Sequence, residues 1–220
     1  MEHSVAMKEI FRKFLASDVS PWLRARGFSR KGQTFHKWIQ TNCQVINFQT
    51  SMFSEPKSYE FTVNVGVFFG EVYRFRENID QVPRVPPLYS YHWDMRLGAL
   101  MPQNRDIWWP IESEEDVPPI SREIKSALQD YALPALDRFT DEKTLPETLL
   151  AGKLTKRNRA QQLLYLAIMY RERYTRQELL TLIAELRAEV DRTPRIAREY
   201  FDPSIAKLEA EVSRTRSTVN

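Results

Sequence analysis

The sequence predicts an α+β fold: an antiparallel β-meander flanked by helices, followed by a C-terminal α-helical hairpin extension. Three observations carry this. Segments rich in β-branched and aromatic residues follow one another through residues 34–69 with short polar connections, which implies antiparallel neighbours. Helical periodicity of apolar residues precedes them, resumes after Ser121 and dominates from Thr155 onward. At 220 residues the chain is long enough to bury a sizeable core in one domain with a helical appendage. The division expected is an α+β domain over 1–150 and a helical extension over 151–220 packed on it.

Residues Val5 to about Leu23 read as an N-terminal helix, with Ile10, Phe14 and Trp22 on an apolar face flanked by Phe11 and Leu15. Pro21 disfavours helical geometry at its predecessor, so the helix is expected to end near Ser20-Pro21. Arg26-Gly27 makes the turn that follows, glycine being suited to a left-handed helix end. Thr34–Gln40, Gln44–Ser51 and Tyr59–Phe69 are the strands, divided by Thr41-Asn42 and by Ser54–Ser58. The pattern loosens from Tyr73 to Pro110, where Pro83, Pro86, Pro87, Pro102 and Pro110 interrupt long elements. A structureless connection of that length is uncommon, so a short strand is expected within Tyr89–Leu97, giving a sheet of four or five strands. Ser121–Leu136 reads as a helix on the sheet, ended or kinked by Pro134, and Asp141–Gly152 as a connection with one helical turn. Thr155–Tyr174 forms the first arm of the hairpin. The second begins at Thr175 with Glu178 three residues on, a capping box, and carries Leu179, Leu182, Ile183, Leu186 and Val190 as its stripe. Short helices are expected after Thr193-Pro194 and again after Asp202-Pro203-Ser204.

The hydrophobic fraction of 42% fits a folded chain, and a net charge of +3 says little about partners. Cys43 is the sole cysteine, which excludes an internal disulfide and fits a reducing compartment. No basic-then-apolar leader opens the chain and no run approaches a membrane span of roughly 20 apolar residues, so a cytoplasmic location without membrane association is expected.

Several chemistries lack their residues. His3, His36, His92 and Cys43 stand in no metal-ligand spacing. There is no Gly-x-Ser-x-Gly elbow, and neither Walker nor dinucleotide glycine patterns occur among six glycines. Glu60, Glu71 and Asp94 do not make the acid pair of a metal-dependent nuclease. No cofactor and no metal are expected.

What remains is a polar face. Period-two alternation puts Asn47, Gln49 and Ser51 beside Thr62 and Asn64 if their strands pair as a hairpin. Such amides either recognise a partner or tie strands to a loop, with Arg96 able to complete the network. Of Trp108-Trp109, one is expected in the core and the other as an interface anchor.

The pieces Gly27–Phe35, Val45–Ser51 and Phe61–Val67, with Arg96-Leu97-Gly98, Trp108 and Leu133-Pro134 in order, resemble a bacterial family known as domain of unknown function 4304, from about Leu15 to about Arg138. The resemblance implies an α+β fold and a soluble bacterial accessory protein that binds a partner, including an immunity or antitoxin type of role. It implies no activity.

The favoured reading is a non-catalytic protein-interaction or ligand-binding module whose cleft is lined by Asn47, Gln49, Ser51, Asn64 and Arg96, with Trp93 and Trp108 as apolar walls. Another protein is the expected partner. The alternative is nucleic-acid binding through the basic segment, with Lys153, Lys156, Arg157, Arg159, Arg171 and Arg173 on phosphates. A second alternative is an enzyme in which His92, Ser51 and Arg96 converge on a small anionic substrate.

Overall fold

The computed structural model describes residues 2–52, 58–87, 90–141, 143–151 and 159–214. In chain order, α1 (Glu2–Lys13) passes through a π-helical turn (Phe14–Val19) into α2 (Ser20–Arg24), and β1 (Ser29–Lys31), β2 (Thr34–Ile39), β3 (Asn42–Thr50) and β4 (Tyr59–Phe69) follow. Next come α3 (Gly70–Glu77), β5 (Trp93–Arg96), α4 (Leu97–Leu100) and β6 (Trp109–Ile111). Then α5 (Val117–Ala127) runs through a second π-helical turn (Leu128–Ala132) into α6 (Leu133–Thr140). The chain ends in α7 (Leu145–Ala151), α8 (Arg159–Tyr170), α9 (Arg176–Asp191) and α10 (Arg195–Arg214). It forms two compact units: residues 1–68 with 91–140, and residues 69–90 with 141–220.

The first unit is an antiparallel sheet with helices on one face. Its order is β1-β2-β3-β4-β5, with β6 also on β4. Because β5 pairs with residues 64–67 of β4 and β6 with residues 59–61, the two short strands share one flank of the long one. Among the described residues the sheet thus has six strands rather than four or five; β6 is three residues around Pro110, too short to show a period. The helix-facing side is aromatic. Phe11 and Phe14 of the N-terminal helix meet Phe61 at 5.0 and 5.8 Å between ring centres, and Trp93 stacks on Phe139 of α6 at 4.3 Å.

Pro21, expected to stop its helix, and Pro134, expected to end or kink its own, are both carried through. Ser20 donates its N–H to the Leu15 carbonyl and Leu133 to the Leu128 carbonyl, each an i→i−5 bond made by the residue just before a proline. Proline has no N–H to give and its ring collides with the carbonyl four residues back. One widened turn ahead of the ring realigns that carbonyl, so the helix continues past Pro21 and past Pro134. The end then comes at a Schellman turn: Phe28 N–H bonds Leu23 C=O and Gly27 N–H bonds Arg24 C=O, with Gly27 at φ +86°.

In the second unit α8, α9 and α10 pack together, and α3 lies against α8 and α10. The capping box is formed in both directions between Thr175 and Glu178. The two short terminal helices expected around Pro203 are one helix, α10, with proline inside it. Burial of Phe201, Ile205, Leu208 and Val212 along one side outweighs the roughly 3 kcal/mol that an interior proline costs. Among the described residues no helix is long and apolar enough to cross a membrane.

Candidate functional site

The face of the sheet opposite the first unit's own helices carries the polar residues in a row across four strands. Thr34 of β2 stands directly opposite Asn47 of β3, and Asn64 of β4 directly opposite Arg96 of β5. The Asn47 amide donates to Thr34 Oγ1 at 2.8 Å, and the Asn64 amide to Gln49 Oε1 at 2.9 Å. Gln49 is exposed and Asn47, Asn64 and Ser51 are half-buried. Thr62, on the same face, is buried. Farther along, the same face becomes apolar, with Phe68 against Trp38 at 5.9 Å and against His92 at 5.4 Å. The polar residues therefore occupy one half of this face, with Gln49 its exposed member.

Arg96 closes the row at a fixed corner. Its guanidinium lies 4.8 Å from the Trp108 ring centre, and its Nε pairs with Asp106 at 3.3 Å. Trp108 Nε1 donates to the same carboxylate at 3.2 Å. Among the described residues the buried Arg96 Nη1 has no hydrogen-bond acceptor. A guanidinium donor left so is costly and is satisfied by any carbonyl or carboxylate brought to it. Gly66 and Gly98 make this corner possible. A Cβ at Gly66 would lie 2.8 Å from the Trp93 carbonyl oxygen, and one at Gly98 only 2.4 Å from that of Arg105.

Of the residues expected to line a cleft, the structure brings Asn47, Gln49, Ser51, Asn64 and Arg96 onto one face, with Trp108 beside Arg96. Trp93 does not join them. It precedes Arg96 by three positions on β5, so its side chain points to the helix face, where it is buried against Phe139. Trp109 is the core member of the tryptophan pair, packed on Phe61 at 6.0 Å, and Trp108 the more exposed one. Thr34 and Asp106 were missed by sequence reasoning: the first needed the β2–β3 register, and the second lies in a loop with no periodic signal.

The residues of the enzyme alternative do not converge. Ser51 lies opposite Glu60, and His92 N–H bonds the Val67 carbonyl, so seven residues of β4 separate them, about 23 Å at roughly 3.3 Å per residue. His92 is buried against Phe68. Burial raises the Cys43 thiol pKa to about 12, so it is not a nucleophile near neutral pH. Burial lowers the pKa of His36, aided by Lys31. Among the described residues no three of His, Cys, Asp and Glu gather as metal ligands.

In the basic segment, Lys153, Lys156 and Arg157 lie outside the described residues. Arg159 pairs with Glu185 at 2.7 Å. Arg171 reaches Glu71 at 2.7 Å and Glu211 at 3.3 Å, with 18% of its side chain exposed, and lies over Phe75. Arg173 lies 5.4 Å from the Tyr170 ring centre. Arg159 and Arg171 are thus engaged with carboxylates rather than presented together to phosphates.

Fold and site together define an α+β protein with a polar row laid across an antiparallel sheet. Residues 19–138 match the family described as Domain of unknown function (DUF4304), and the chain belongs to that family. No curated protein and no solved structure matches it.

Proposed function

We propose that this protein is a non-catalytic binding module that holds a polar protein partner on the amide row, with Arg96 as its anchor. The observation that carries the reading is that Gln49 is exposed within the row, and its amide N–H groups and the Asn64 carbonyl oxygen are not consumed by the bond between these two side chains. Amides offer donor and acceptor together, which suits the peptide groups and side-chain amides of another chain. The part-exposed Arg96 side chain adds a cation for a carbonyl or carboxylate, and Trp108 a flat apolar contact beside it. An immunity or antitoxin type of role, in a bacterial cytoplasm where the lone Cys43 stays a thiol, is the form of this proposal that the family resemblance suggests.

The experiment is native mass spectrometry of the protein purified gently from its own host, run beside the Gln49→Ala/Asn64→Ala double variant and Arg96→Met. A co-purifying protein of defined mass, lost from both variants, supports the reading. A bare protein, or a partner retained by both variants, overturns it.

A further inference from the structure

The first unit has a second polar site, on the opposite side of the sheet from the amide row. A cleft of about 360 Å³ opens between the Gly27 turn, β2 and the π-helical turn that follows α5. Phe28, Leu133 and Pro134 give it an apolar wall, and Arg26, Lys37 and Asp137 line it with charge. Its volume falls within the range of small-molecule sites, roughly 300–1,000 Å³.

Each charged group is held in place. The Arg26 guanidinium lies 3.6 Å from the Trp22 ring centre, bonds the Trp22 carbonyl at 3.0 Å and donates twice to Gln129 Oε1, at 3.3 and 2.9 Å. The Lys37 stem runs past Gly27, where a Cβ would be 3.6 Å from it, and its ammonium lies 5.7 Å from the Phe28 ring centre. Asp137 Oδ1 accepts from Gln44, a fully buried side chain directly opposite Lys37 in the β2–β3 register. Yet among the described residues neither Lys37 nor Arg26 forms an ion pair with Asp137. Opposite charges thus face one cleft without neutralising each other, across an apolar wall.

We propose that this cleft binds a free α-amino acid with an aliphatic side chain. The carboxylate goes to Lys37 and Arg26, the ammonium to Asp137, and the side chain against Phe28, Leu133 and Pro134. A zwitterion satisfies both signs at once, whereas a simple anion meets repulsion from Asp137 and a simple cation from Lys37.

The test is a ¹H–¹⁵N NMR titration of the full chain with L-leucine up to roughly 20 mM, a range that detects millimolar dissociation constants. Saturable shifts of the Phe28, Lys37 and Gln129 amides are expected. Isovalerate and isoamylamine, which keep the side chain and one charge each, should bind at least about tenfold more weakly. Lys37→Gln and Asp137→Asn should each weaken leucine by about the same factor while melting like the parent. Absence of saturable shifts at these amides, or equal binding of isovalerate, overturns the proposal with the native protein alone. Leucine affinity unchanged in folded Lys37→Gln and Asp137→Asn overturns it as well.

Discussion

Replacing Gly98 with alanine should destabilise the first unit by about 2–4 kcal/mol, through backbone sterics alone. The added methyl would stand 2.4 Å from the Arg105 carbonyl oxygen, 2.7 Å from Ile107 Cγ1 and 3.1 Å from Ile107 Cβ, where ordinary contact begins near 3.4 Å. The nearest obstacle is backbone, so the loop must retreat by about 1 Å. Overpacking of this kind costs about 1–3 kcal/mol. The retreat also stretches the 3.2 Å bond from Arg105 N–H to the Gly98 carbonyl, worth about 1 kcal/mol. In a chain of this size, each kcal/mol moves the melting temperature by roughly 2–4 °C, so a fall of about 4–16 °C is expected. The assay is thermal and urea unfolding followed by far-ultraviolet circular dichroism. The same loop carries Asp106 and Trp108 to Arg96, so tryptophan fluorescence of the folded variant should change too. A variant within about 0.5 kcal/mol of the parent, the spread of neutral surface changes, would refute the steric argument.

Three other expectations follow from single contacts. Thr175→Ala removes the side-chain acceptor of the α9 capping box and should cost about 1 kcal/mol in urea unfolding, while Thr175→Ser leaves stability nearly unchanged. Cys43, buried with its pKa raised to about 12, should be silent to a thiol reagent at pH 8 in the native protein and react at once when urea unfolds it; rapid native reaction would contradict the burial. Burial pushes the Glu71 carboxyl pKa up, but the hydrogen bond from Arg171 and the charges of Arg171 and Arg74 outweigh it and leave the group below its ordinary value. A lowered folded-state pKa means stability that is present above the unfolded pKa, near 4.3, and lost as pH falls through the folded value. Glu71→Gln should therefore be less stable than the parent at pH 7, with the gap closing on acidification; a gap constant with pH would count against the ion pairs.

The strands were legible because alternation and turn residues act over a few positions. The three long ones end within two residues of where composition places them, and the Thr175 cap stands where its four-residue signature says. Elements that owe their place to distant partners were not. β6 exists because Trp109 and Ile111 find Phe61 and Tyr59 on β4, and no local pattern around Pro110 announces that. The helix through Pro21 shows the opposite failure. Its local rule was correct for an α-helical turn, but the chain satisfied it by widening the preceding turn. Phe14, Leu15, Val19 and Leu23 are all buried along this continuous helix, so stopping at Ser20 would have left Leu23 and the Schellman turn without their place in the core.

The site divides along the same line. Which face a residue occupies depends only on parity, whereas its cross-strand neighbour depends on the turn. Centring the β2–β3 turn on Thr41-Asn42 sets Asn47 opposite His36. The structure turns at Gln40-Thr41, with Gln40 at φ +53°, and sets Asn47 opposite Thr34. Moving a turn by one residue shifts every pair by two and leaves every side chain on its face. The amide face thus survived an error in the turn, while the partner that holds the Asn47 amide did not. For Trp93 parity gave the opposite answer from the one expected. Asn64 faces Arg96 across β4–β5, so Trp93, an odd number of residues from Arg96, must face the helices however its indole is placed. Registering β5 on β4 through Asn64 and Arg96 is therefore the step that separates a wall of the cleft from a pillar of the core.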